Sequence, residues 1–253
     1  MLQRVLDAAR RIRADRYAGA DVLLAAGSLV RGEGTAYSDL DLVVVYAELD
    51  HAYRESFRVE GLPVEAFVHD PSTLEYFFLD VDAPSGVPTL PRMVAEGVEI
   101  PGPTAISRAL KSRAADLLAA GPPPLDPETE RRMRYFVSDL LDDLRAPRSR
   151  EESIAAGAPL YEQLATYVFR SRRHWSAKGK AIPRSLAQID AELAAAYDGA
   201  FAELFASGDA GRVIRLAEDL LRNAGGPLFD GYRADAPAAW ARRPPAAGVQ
   251  SVR

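Results

Sequence analysis

The sequence contains no cysteine and only three histidines. The first absence excludes a disulfide scaffold, a zinc–thiolate site and a cysteine nucleophile, and the second argues against a histidine-rich metal centre. Basic residues are not in excess either: 31 Lys and Arg stand against 36 Asp and Glu, for a formal net charge of −5. A protein whose main partner is nucleic acid usually carries a basic face, so nucleic acid is not the expected partner. No apolar run in the chain approaches the ~20 residues that a membrane span requires. Met1 to Arg16 mixes arginines and acids into its apolar pattern and lacks the continuous core of a signal peptide. The expectation is a soluble, cytoplasmic protein with no membrane partner. At 253 residues, 48% apolar and 26% charged, the chain has ordinary globular composition and is long enough for one large or two modest domains.

What the chain does have is concentrated between Val22 and Val45. An apolar run, Val22-Leu23-Leu24-Ala25-Ala26, stops at Gly27-Ser28, which reads as a buried strand ending in a turn. Gly27, Gly32 and Gly34 then allow a close backbone approach or a positive φ. Asp39 and Asp41 bracket Leu40 at the start of a second β-forming run, Leu42-Val43-Val44-Val45. Residues two apart on a strand share a face, so both carboxylates project together from one edge of a sheet. Like charges held that close repel unless a cation lies between them, and Mg²⁺ is a hard ion that takes carboxylate and phosphate oxygens. An upstream Gly-Ser turn offers amides and a hydroxyl suited to phosphate. Taken alone, an Asp-x-Asp pair also fits a solvated strand end.

With the Gly-Ser turn, Arg31-Gly32 and Ser38 added, the stretch resembles the nucleotidyltransferase superfamily that includes DNA polymerase β and the kanamycin-type aminoglycoside nucleotidyltransferases. The resemblance implies that Asp39 and Asp41 hold one or two Mg²⁺ ions and that ATP is the co-substrate. Gly27 and Ser28 would take its phosphates, with Arg31 and Ser38 beside them. In that family a third carboxylate lies on the strand following Asp-x-Asp. Glu65, the acid inside Leu62-Pro63-Val64-Glu65-Ala66-Phe67-Val68, matches it. Alternation by itself would also put Glu65 on a wet face.

Apolar spacing predicts a first helix ending near Arg16, and His51–Glu60 is polar and ambiguous. Past the Glu65 strand, the pattern predicts a helix through Val81, a loop over Asp82–Pro91, a short helix over Leu90–Gly97 and a short strand at Val98–Ile100. Thr104 is the expected N-cap of a helix over Ala105–Ala120. Gly121-Pro122-Pro123-Pro124-Leu125-Asp126-Pro127 is the clearest boundary, and the pattern beyond it is almost wholly helical. Expected helices are Glu128–Arg145, Glu151–Ser176, Ser185–Tyr197, Gly199–Ala206 and Ala210–Asn223. The fold class is therefore α+β: a small mixed-sheet catalytic domain over 1–121, a helical domain over 128–233 that would cover substrate and nucleotide, and an Ala/Pro-rich tail over 234–253.

The helical part holds two candidate features. Asp139 and Asp143 are four apart and share a helix face, either as a solvated acidic surface or as reactive groups. The kanamycin-type resemblance implies a general base from this domain, with Asp139 the first choice. The basic stretch Arg170 to Lys180 suits a helix C-terminus. In related adenylyltransferases a lysine from the helical domain reaches the phosphates, which makes Lys178 and Lys180 nucleotide-binding candidates. The implied activity is transfer of AMP from ATP to a hydroxyl of a small molecule, as in aminoglycoside-modifying relatives. A protein acceptor, as in antitoxin-like relatives, and a non-catalytic nucleotide-binding role are the alternatives. Dimers that share a cleft are common among the resembled antibiotic enzymes, which leaves a homodimer open.

Overall fold

The computed structural model describes residues 2–236; Met1 and most of the tail read over 234–253 lie outside the described residues. The chain divides into two units, 1–124 with 169–185 and 125–168 with 186–253. Composition places the first boundary at the same proline segment, while 169–185, grouped by sequence with the helical part, falls in the unit that holds the sheet.

In the first unit, α1 (Leu2–Arg16) buries Val5, Ala8, Ala9 and Ile12 at helical spacing. Strand β1 (Val22–Ala26) is buried along its whole length. A helical turn, α2 (Gly27–Val30), separates it from β2 (Leu40–Val45). The ambiguous segment before Glu60 is a strand, β3 (Tyr53–Val59), joined to β4 (Leu62–His69) by the two-residue turn Glu60-Gly61. Both turn residues have positive φ, 49° and 85°, the conformation that matches the twist of a tight hairpin. Glu65 is thus on the second strand after Asp-x-Asp in sequence, not the first.

The five-stranded sheet has the order β3-β4-β2-β1-β5, where β5 is Val98–Ile100. Strands β2 and β4 pair in parallel and the other neighbours are antiparallel. Alternation along the strands builds two cores. Leu23, Ala25, Leu42, Val44, Ala66 and Val68 pack with α1, whereas Val22, Leu24, Val43 and Val45 pack with Leu74, Phe78, Leu90, Val94 and Ala114. The second set comes from α3 (Pro71–Tyr76), a six-residue π-helical stretch Phe77–Asp82, α5 (Thr89–Glu96) and α6 (Ala105–Ala120). The expected loop over Asp82–Pro91 therefore contains the end of the π segment, a short α4 (Ala83–Ser85) and the start of α5. Thr104 caps α6 by accepting from the Ser107 amide at 3.0 Å.

The second unit holds α7 (Pro127–Arg145), α10 (Ala191–Ser207), α11 (Gly211–Leu221) and most of α8 (Arg150–Ser171), whose last three residues belong to the first unit. Its core includes Val137, Leu141, Leu160, Leu164, Tyr197, Phe201, Leu204 and Val213. Helix α8 stops at Ser171 rather than at Ser176. The expected Ser185–Tyr197 helix is divided: α9 (Ile182–Ile189) ends before Asp190, whose carboxylate accepts from the Leu193 amide at 2.9 Å and starts α10. Helix α10 runs through Gly199, where the sequence suggested a break. Among the described residues no helix is long and apolar enough to cross a membrane.

Candidate metal and nucleotide site

Two adjacent strands bring the acids together. Asp41 sits on β2 directly beside Glu65 of the parallel strand β4. Asp39 precedes β2 by one residue and shares the face of Asp41. One oxygen from each of Asp39, Asp41 and Glu65 lies within 4.8 Å of the others. Their side chains leave the sheet on the α5 side, because the alternate residues Leu40, Leu42, Val64 and Ala66 fill the α1 core. All three carboxylates are half-buried.

Gly27 provides the seat. Its φ is +83°, and a Cβ built there would stand 1.9 Å from Asp41 Oδ2. Only a residue without a side chain lets the Asp41 carboxylate lie against this turn. Burial pushes the Asp41 carboxyl up to about 6, Asp39 and Glu65 push it further the same way, and Arg31 and Arg54 oppose them. Three converging acids and one strongly raised carboxyl describe a cluster that lacks enough positive charge of its own.

Gly27, Ser28, Arg31, Asp39 and Asp41 line a cleft of about 350 Å³ together with Lys178 and Lys180. Those two lysines enter through 169–185, which is tied to the rest of the unit at several points. The Ser176 amide donates to the Gly86 carbonyl at 2.7 Å, the Trp175 indole to the Leu118 carbonyl at 2.9 Å and Arg170 to the Pro123 carbonyl at 3.0 Å. Gly86 has φ +74°, and a Cβ there would fall 2.2 Å from Arg170 Nη1, so this glycine gives the arginine its place.

Not every expected residue is in the cleft. Ser38 is buried and accepts from the Thr35 amide at 2.9 Å, so it shapes the loop before Asp39 instead of lining the space. Arg31 lines it but pairs with Glu33 and Glu96, both at 3.3 Å. Asp139 and Asp143 are exposed on α7 in the second unit and are not among the groups the first unit gathers. Sequence reading missed Thr89, Arg92, Ser176 and Arg184, which also line the cleft. Arg184 continues the basic run that ends at Lys180 and was within reach of inspection, whereas Arg92 on α5 carries no local signal.

No family model matches the sequence, and no curated protein does. Among solved structures the chain is similar to a nucleotidyltransferase-like protein from Exiguobacterium sibiricum 255-15, with 14% identity, a TM-score of 0.43, and coverage of 86% of this chain and 74% of that one. A likeness of that degree carries no argument about function, which rests on the cleft.

Proposed function

We propose that this protein is a metal-dependent nucleotidyltransferase that moves AMP from ATP to a hydroxyl of a small molecule. The supporting observation is one cleft that presents the Asp39–Asp41 carboxylates, completed by Glu65, along with Lys178, Lys180, Arg92 and Arg184. Acids that gather divalent ions and cations that gather phosphates are both needed where a triphosphate is cleaved, and either set alone would be less specific.

The donor set fits Mg²⁺. It consists wholly of carboxylate oxygens, they converge, and burial plus mutual repulsion leave Asp41 short of positive charge. A divalent ion held by Asp39, Asp41 and Glu65 would lower the pKa of the attacking hydroxyl and offset charge on the departing pyrophosphate. The chain's own groups do the rest. Ser28 and the Gly27 backbone grip the phosphates, and Lys178, Lys180, Arg92 and Arg184 hold the two terminal ones as they leave. The acceptor hydroxyl gives up its proton to water in the open cleft, its oxygen bonds to the α-phosphorus, the bond from that phosphorus to the bridging oxygen breaks, and pyrophosphate departs. A cleft of about 350 Å³ is at the small-ligand end of the usual range, and the net charge of −5 disfavours an RNA acceptor.

Pyrophosphate release from ATP and Mg²⁺, measured across an aminoglycoside panel and a cell lysate, tests this. Release that requires one panel compound and disappears in Asp41→Asn is the expected result. Asp39→Asn should behave in the same way, with thermal melting showing both variants folded. Full activity in either variant would exclude the mechanism. Release with lysate alone would move the acceptor to protein or RNA, and ATP binding without release would leave a nucleotide-binding protein.

A further inference from the structure

The carboxylate cluster already has a cation on it. Arg54 Nη2 lies 2.5 Å from Glu65 Oε2. Arg54 sits on the sheet's edge strand, β3, two residues from Ser56, the register partner of Glu65. It is therefore on the same face as the three acids. Its guanidinium carbon is 4.9 Å from the centroid of the Phe67 ring, which gives the group a resting place beside Glu65. Arg31, also beside the cluster, pairs with Glu33 and Glu96. Arg54 thus contacts one of the proposed metal ligands directly.

We propose that Arg54 is a positioning residue that competes with divalent metal for Glu65. This inference rests on the nucleotidyltransferase reading of the same cluster. Asp39 and Asp41 carry no ion pair from Arg54 and form the stronger half of the site. A second ion that needs Glu65 must displace a guanidinium from it. The side chain of Arg54 is 56% exposed against 26% for Glu65, so the arginine is the partner free to swing away. The two ions therefore bind with unequal affinity, and until the second arrives the arginine offsets part of the repulsion between Glu65 and Asp41. Arg54 would thus raise the ion concentration needed for full metal loading.

The probe is Mn²⁺, titrated into the full-length chain and followed by electron paramagnetic resonance and calorimetry. Wild type, Arg54→Gln, Arg54→Lys and Asp41→Asn are compared, with thermal melting as the check on folding. In Arg54→Gln the weaker Mn²⁺ should bind up to about fivefold more tightly, the change that an exposed ion pair's strength allows, while the tighter one stays put. Arg54→Lys, which keeps the charge, should remain near wild type. A residue with a merely structural role would weaken metal binding when removed, or leave it unchanged, and either result in Arg54→Gln overturns the proposal. If wild type itself shows no Mn²⁺ binding that Asp41→Asn abolishes, the parent reading falls together with the role of Arg54. Two ions bound in wild type with no shift in Arg54→Gln would sink the arginine's role alone.

Discussion

At the scale of single residues, the site depends on what Gly27 lacks. A methyl there would meet Asp41 Oδ2 at 1.9 Å on a backbone with φ +83°. Gly27→Ala should therefore cost about 2–3 kcal/mol of stability from strain and displacement combined, and should abolish metal binding by moving Asp41. Chemical denaturation with a parallel Mn²⁺ titration would show both, and an alanine variant with intact metal affinity would count against the seat. Asp41 also has a pH signature. Its carboxyl is raised to about 6, principally by burial, from an ordinary value near 3.8. The folded chain thus holds this proton more tightly than the unfolded one, so metal-free stability falls as pH rises from about 4 to about 6 and levels off above that. Metal affinity moves the opposite way and strengthens through the same window, because the ion needs the ionised form. Melting of metal-free wild type and Asp41→Asn across that range should show a pH-dependent difference between them; a constant difference would contradict the raised carboxyl.

Among the elements, α5 presents Thr89, Arg92 and Met93 to the cleft, and its start is held from behind. Asp82, buried at the end of the π-helical stretch, accepts from the Leu90 amide at 2.8 Å. Burial raises the carboxyl of Asp82, and the amide bonds to Leu90 and Thr89 oppose that rise. Asp82→Asn keeps an acceptor and should be tolerated. Asp82→Leu strands those amides and should cost about 1–3 kcal/mol, with weaker ATP binding as Arg92 loses its fixed position. Denaturant midpoints and ATP titration separate the two variants, and equal behaviour would remove Asp82 as the anchor of α5. Nothing in Asp82, two residues after Asp80 in the same stretch, announced this role; it requires the chain to turn back within eight residues.

On the scale of the whole molecule, the sheet-bearing unit is not continuous in sequence. It takes back 169–185, which buries Phe169, Ser176, Ala177 and Ile182 and brings Lys178, Lys180 and Arg184 to the cleft. A chain shortened to residues 1–121, which composition alone would offer as a complete catalytic domain, should melt well below the full-length protein and bind ATP at least tenfold more weakly, a shift of about 1.4 kcal/mol. Thermal melting and ATP calorimetry test it, and a short chain with unchanged stability and affinity would show that the returning segment is dispensable. ATP binding should also weaken as salt is raised, since cations gathered in one cleft act through charge that salt screens, and ATP titration at two ionic strengths checks it.

The sequence by itself determined what short-range geometry governs. Period two placed Asp39 and Asp41 on one face, the Gly27-Ser28 pair marked the end of β1, and Thr104 announced the start of α6. It also carried the α+β division, because alternating and helical apolar patterns occupy different stretches. The tertiary structure decided which distant residues meet. Parallel pairing of β2 with β4 set Glu65 beside Asp41, with the β3–β4 hairpin formed in between, and the edge strand then delivered Arg54 to Glu65. Packing of 169–185 against Gly86 and Leu118 delivered the lysines. These meetings follow from how apolar faces are buried against one another, a property of the assembled sheet and its helices that no local window of sequence contains.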